Sequence, residues 1–325
     1  MRRPTTPLMI VGICAGLIAP GGPAAGQDSP AECGHGLTAA EAAAGWISLF
    51  DGKTTFGWAG ARLDDGRLVG GTTTTDVGDC ELRGDVERGG TLVVGGMSVT
   101  VEAGPLAIPS TGRSGPVRLG DRVVVRSLAV RPLRLRTLFD GHNLDGCTPV
   151  NPPKARHGTG PTWTLDGGML RAKGGPGAME LPGTHSDFTL QVVARTRGRH
   201  SNGGVFFRNP PGTCMMGYEA QVYNRCEGDD PARPAVYATG AIDDRQNARR
   251  LVSRDGEPFV LTVLARGPHI ASWVNGVQVT DWTDTRPEDE SPRRGLRTEA
   301  GTVQLQAHDP DTDLAFGKVA VARID

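Results

Sequence analysis

Three polar side chains at alternate positions, Glu219, Gln221 and Tyr223 of GYEAQVYN, form the first pattern with chemical content. Side chains of a strand alternate between its two faces, so these three share one face while Tyr218, Ala220 and Val222 share the other. TVQLQAHD repeats the arrangement, with Gln304, Gln306 and His308 facing one way and Val303, Leu305 and Ala307 the other. In GGVFFRN, Arg208 shares its face with Phe206. A polar row on a strand is commonly just a solvated outer face. These rows are rich in Gln, Glu, His, Tyr and Arg, long bidentate or ring-bearing groups, where a plain solvent face more often shows Lys, Thr and Ser. A sugar has hydroxyls for such groups and an apolar ring face for an aromatic, so a carbohydrate is the natural partner. The row around Glu219 offers one carboxylate, whereas ordinary glycoside hydrolysis uses two. A two-carboxylate mechanism is disfavoured unless Asp243, Asp309 or Glu180 enters from a loop.

The elements that must position these rows are short and alternating. DFTLQVVART, GGVFFRN, GYEAQVYN, PFVLTVLARG, TVQLQAHD and LAFGKVAVARI read as strands, and HIASWVNGVQVTDW as a hairpin turning on Asn275-Gly276 in a type I′ turn. No helical periods intervene, which indicates an antiparallel sandwich or jelly roll. The one convincing helix lies in GLTAAEAAAGW, where Thr38 and Glu41 make a capping box and Gly45 stands as the stop. A repeat is visible: LFDGKTTFGW at 49–58 returns as LFDGHNLDGC at 138–147, each followed by a DG turn and an apolar strand. Two copies of one beginning imply two related β units. The expected organisation is an export signal at 1–26, a capped helix and lead-in at 27–45, a reduced sandwich-like unit at 46–135 and a jelly-roll domain at 136–325. In the reduced unit, TLVVGGMSVTVEA, VRLGDRVVVRS and LAVRPLRLRTLF read as strands, and no counterpart of the Glu219 segment is present.

Composition narrows the partners. The net charge is −1 over 325 residues and the basic residues form no stripe, so no nucleic-acid partner is expected. The N-terminus has two arginines, an apolar run at 8–19 and small residues at 24–26, which reads as a secretion signal too short to span a membrane. The expected location is secreted or periplasmic. Five cysteines follow the expected cleavage point, Cys33, Cys80, Cys147, Cys214 and Cys226, and no CxxC spacing argues for zinc. Cys214 with Cys226 is the pair to test; buried free thiols are the alternative.

The stretches LFDGHNLDGC, WTLDGGMLRA, SNGGVFFR, GYEAQVYN, WVNGVQVTDWTD and VQLQAHDP, six motifs in one order, resemble the 3-keto-disaccharide hydrolase-like family. The resemblance covers about 136–325. It implies a concanavalin-like sandwich of the kind common in exported planctomycete proteins. Trp58 keeps the tryptophan that usually ends the family's first motif, while Cys147 stands there in the second copy. The implied substrate is a glycoside already oxidised at C3. The keto group acidifies the C2–H, so one base removes that proton, one cation or donor stabilises the enolate, and the C1 substituent leaves by elimination. On this resemblance Glu219 or His308 is the expected base and Arg208 the enolate clamp. Asn202, Phe206, Gln221, Tyr223 and Gln306 are the expected sugar-binding groups, and a divalent cation held by Glu219 and His308 is an option. For Arg208 the bland alternative is a structural ion pair with Glu219. For the whole chain it is a lectin-like binding module without catalysis.

Overall fold

A computed structural model describes residues 32–152, 160–291 and 293–325. The segment read as an export signal lies outside them. Among the described residues the chain is all-β apart from the helix Ala39–Ala43 and a one-turn 3-10 helix at Glu227–Asp229. The helix has the capping box expected from its sequence: Thr38 accepts from the Glu41 amide, Glu41 reaches back to the Thr38 amide, and Gly45 follows at φ +88°.

Residues from Arg136 onward build a sandwich of two antiparallel sheets. One has eight strands, whose continuous path runs from Thr162–Asp166 through Met169–Lys173, Asp313–Arg323, Phe188–Thr196, Phe259–Arg266 and His269–Val274 to Val277–Thr283. The other has five, in the order Thr148–Val150, Gly177–Glu180, Thr302–Ala307, Gly203–Asn209 and Tyr218–Val222. Leu190, Val192, Leu261, Val263, Ile270 and Phe316 of the first meet Val205, Phe207, Ala220, Val222, Val303 and Leu305 of the second. This is the concanavalin-like sandwich that the motifs imply, with one side of each strand facing the partner sheet. The Asn275-Gly276 turn forms as expected, both residues lying at positive φ (47° and 76°).

Residues 47–132 form a nine-stranded sheet whose spine is the 18-residue strand Gly115–Pro132. That strand pairs with Ile47–Ser48, Arg67–Val77, Cys80–Arg88 and Gly90–Val94 in turn. TLVVGGMSVTVEA, expected as one strand, is a hairpin of Gly90–Val94 and Met97–Val101, because Gly95 and Gly96 both take positive φ and reverse the chain. The apolar face of this sheet joins Leu68, Leu82, Leu92, Val125 and Leu128 to Leu264, Ala271 and Trp273 on the outer face of the eight-stranded sheet. That eight-stranded sheet is therefore apolar on both sides over Phe259–Arg266 and His269–Val274. Trp273 Nε1 donates to the Ser48 carbonyl at 3.0 Å and completes the junction.

The two LFDG copies have the same local chemistry. Asp51 accepts from the amides of Lys53 and Thr54, and Asp140 from those of His142 and Asn143. Leu49 and Phe50 enter the core of the nine-stranded sheet, and Leu138 and Phe139 that of the sandwich.

Candidate functional site

The outward face of the five-stranded sheet carries the polar rows. Phe206 pairs with Gln304 on one side and Glu219 on the other, and Gly204 pairs with Gln306 and Gln221. Register thus sets Glu219, Gln221, Gln304 and Gln306 around one patch whose centre, Gly204, has no side chain. Into that space the Glu219 carboxyl folds: a Cβ at residue 204 would overlap its Oε1. Glu219 is 5% exposed, Gln221 6% and Gln306 2%.

Burial without a full set of partners dominates the electrostatics here. Desolvation, reinforced by the nearby Asp243 charge, pushes the Glu219 carboxyl up to about 8, and the Arg293 guanidinium only partly offsets it. Two further acceptors are stranded beside it: the Oε1 atoms of Gln221 and Gln306 are buried without a hydrogen-bond partner among the described residues. Each of these amides spends its N–H elsewhere, Gln221 on Asn202 Oδ1 at 2.9 Å and Gln306 on the Met215 thioether at 3.0 Å. Thioether sulfur is a weak acceptor, so a hydroxyl reaching Gln306 would be the better partner.

Loops close over the patch. Residues 210–217 are pinned by Asn209, whose Oδ1 accepts from the Met216 and Gly217 amides, and by Glu180, which accepts from the Gly212 amide. Gln304 serves the same loop, accepting from Met215 N and donating to Glu180 and Thr213 O. From the other side comes Arg293. Its Nη1 stands 3.7 Å from Glu219 Oε2, its Nη2 3.0 Å from Asp243 Oδ2, and its guanidinium lies over the Phe206 ring at 5.4 Å. Asp243 in turn donates its backbone N–H to the Glu219 carbonyl at 3.0 Å.

Glu219, Gln221 and Gln306 are thus brought together, and several of the other expected site residues are not. Arg208 does not face Glu219. It sits in a bulge where register slips between Phe206 and Asn209, at φ +50°, and this turns its side chain away. Fully buried, it donates to the carbonyls of Ser186, Gly267 and Arg297 and to Asp187 Oδ1, so it ties loops together at one end of the sandwich. Neither the enolate clamp nor an ion pair with Glu219 fits that placement. Phe206 lies beneath Arg293 and is buried, so its ring face is not open to a sugar.

His308 lies four residues beyond Gln304 and two strands from Glu219, an offset of roughly 13 Å along the strands and 10 Å across. Glu219 and His308 therefore do not meet, and the cation that both were expected to hold has no such pair of ligands. His308 instead bonds Asp309 at 2.7 Å, and Asp309 accepts from Asn202, the partner of Gln221. Tyr223 lies at the same end of the sheet, its hydroxyl accepting from Arg225. The three other carboxylates have separate stations, Asp243 beside Glu219, Asp309 beside His308 and Glu180, at the end of the strand Gly177–Glu180, under the 210–217 loop. Among the described residues, no group of three or more His, Cys, Asp and Glu side chains is arranged to hold a metal. All five described cysteines are free; Cys214 donates to the Val150 carbonyl and is not bonded to Cys226. No helix among the described residues is long and apolar enough to cross a membrane.

Sequence reasoning missed Arg293. Its stretch SPRRGLR carries loop signals, proline and glycine, and a pair of arginines, but nothing local shows that the first of them lands on the sheet.

A model of the 3-keto-alpha-glucoside-1,2-lyase-like domain family matches residues 134–321. No curated protein matches the chain. Among solved structures, the chain is similar to a protein of Parabacteroides distasonis ATCC 8503 described as a candidate glycosyl hydrolase, at 23% identity and a TM-score of 0.45 over 59% of this chain and 100% of that one. It is also similar to the carbohydrate-binding module CBM66 of Bacillus subtilis, at 17% identity and a TM-score of 0.39 over 54% of this chain and 93% of that one.

Proposed function

The chain belongs to the 3-keto-alpha-glucoside-1,2-lyase-like domain family, and on that premise we propose that it cleaves 3-keto-glycosides by proton abstraction at C2 and elimination at C1. The observation that carries the reading is the buried Glu219 with the half-buried Arg293 beside it, 3.7 Å apart on the Gly204 floor. An ordinary carboxylate is a feeble base toward carbon. Burial raises the basicity of Glu219, with its proton held up to about 8, and brings it close to the range where general bases work best.

In the reaction Glu219 takes the C2 proton, and the electron pair of that C–H bond moves into a C2–C3 enolate. Arg293 stabilises the charge on the former C3 carbonyl oxygen. Collapse of the enolate restores the C3 carbonyl, forms a C1=C2 double bond and breaks the C1–O bond; the aglycone leaves as an alcohol, taking up the proton that Glu219 removed, with a 1,2-unsaturated 3-keto sugar as the other product. Addition of water across that double bond gives the free 3-keto sugar. The Oε1 atoms of Gln221 and Gln306 accept from sugar hydroxyls, and the Met215 thioether yields its place on Gln306 to the substrate. Export of the chain, read from residues 1–26, is part of the same proposal.

The test is NMR of a 3-keto-α-glucoside incubated with the full chain, with Glu219→Gln, and with a sample treated with chelator. Release of the unsaturated or hydrated 3-keto sugar by the wild type and its loss in the variant are expected; loss on chelation would add a divalent cation. Binding of the keto sugar without turnover would overturn the lyase reading in favour of a lectin-like module.

A further inference from the structure

Arg293 reaches Glu219 from an irregular segment, and that segment is held chiefly by one side chain. Arg286 Nη1 donates to the carbonyls of Arg293 at 3.3 Å and Arg294 at 3.0 Å, and Nη2 to that of Gly295 at 3.0 Å. The opposite edge of the guanidinium is clamped by Asp284, Nε to Oδ1 at 2.9 Å and Nη2 to Oδ2 at 2.7 Å. Arg286 also lies over the Trp282 ring at 5.9 Å. A planar group with five fixed donors suits this task; a lysine would reproduce the charge without the fork.

Asp284 is itself fixed. Its side chain is fully buried and accepts from the Tyr218 hydroxyl at 2.6 Å, and that hydroxyl accepts from the Arg297 amide at 2.9 Å. Tyr218 and Glu219 are neighbours on one strand with side chains on opposite faces. The segment therefore grips the strand from both sides: the inner-face residue holds its ends through Asp284 and Arg297, and the outer-face residue receives Arg293. Arg245 adds a 2.6 Å bond to the Arg293 carbonyl.

We propose that Arg286 is a positioning residue of the candidate site, holding the loop that delivers Arg293 to Glu219 and Asp243. This rests on the reading of Glu219 and Arg293 given above, but its test does not need turnover. The charged groups facing Glu219 are Arg293, Asp243 and Asp244. Displacing the one cation among them raises the pH at which Glu219 ionises. That midpoint is read from the carboxyl band in the infrared difference between the wild type and Glu219→Gln.

The measurement compares Arg286→Lys, Arg293→Ala and the double variant in the full chain. Arg286→Lys is expected to raise the midpoint in the same direction as Arg293→Ala, and the double variant to match Arg293→Ala alone, because both changes remove one interaction. Where turnover is present, kcat is expected to fall about 10-fold or more with KM little changed, the cost of misplacing a catalytic group. A wild-type midpoint in folded Arg286→Lys, or additive shifts in the double variant, would overturn the proposal. Should Arg286→Lys fail to fold, Tyr218→Phe, which frees Asp284 and the Arg297 amide, must reproduce the shift or the proposal falls. Absence of turnover in the wild type would sink the lyase reading and leave the titration result to judge Arg286.

Discussion

The carboxyl group of Glu219 occupies the volume that a side chain at residue 204 would need, so Gly204 is what lets Glu219 lie against the sheet between Gln221 and Gln306. A methyl group there must push the carboxyl off. Gly204→Ala is expected to cost about 1–3 kcal/mol of stability as an overpacking change. It should also cut kcat/KM about 100-fold, the scale of a misplaced reacting group. Melting curves and steady-state kinetics check both, and unaffected kinetics would show that Glu219 has another working position.

Glu219 also sets a slope in stability with pH. Its proton is held in the native state up to about 8, well above the ordinary carboxyl value of 4.5. Below 4.5 both native and unfolded chains carry the proton and its stabilising contribution is fully present. Between 4.5 and about 8 only the unfolded chain has released it, so stability falls as pH rises, by up to about 1.4 kcal/mol per pH unit. Above that window both states are ionised and the contribution is lost. Glu219→Gln removes this slope, so urea unfolding from pH 5 to 8.5 should show the variant gaining on the wild type as pH rises. Parallel curves would mean that Glu219 ionises normally.

Gln306 separates binding from folding. Its Oε1 is buried without a partner among the described residues, a cost to the fold that a ligand would relieve. Gln306→Leu is expected to leave the melting temperature equal or raised while weakening keto-sugar affinity about 10-fold, roughly one lost hydrogen bond. Calorimetry of unfolding and titration of the sugar decide it. A variant that loses stability and keeps affinity would mark Gln306 as structural.

Arg208 should behave in the opposite way. It is fully buried with four acceptors, Ser186 O, Gly267 O, Arg297 O and Asp187, and burial drives its guanidinium below the usual arginine value. Arg208→Met strands those acceptors and is expected to cost about 3–5 kcal/mol. Denaturant unfolding checks this; a loss under 1 kcal/mol would show that water takes over the acceptors.

The face assignments were legible because period two is enforced wherever one side of a strand is buried. Glu219, Gln221 and Gln306 share a face as their spacing requires. Arg208 failed for a local reason, since one extra residue in a bulge reverses every face beyond it, and nothing in VFFRNP announces the slip. Arg293 failed for a global one: an irregular loop has no period, and its landing point is fixed by Arg286, Asp284 and Tyr218, the last of them far from it in sequence and on the inner face of the sheet. The hairpin at Asn275-Gly276 and the capped helix were readable because their signals are complete within four residues. The doubly covered sheet was half visible in FVLTVLAR, whose apolar run exceeds strict alternation.

That shared sheet has a practical meaning for anyone cutting the gene. The family match begins at 134, yet Leu264, Ala271 and Trp273 reach backward across that line, and the indole N–H of Trp273 donates to the carbonyl of Ser48. A fragment starting at the match would uncover a greasy wall with a stranded N–H in its middle, and two such fragments would find each other sooner than either found a sugar.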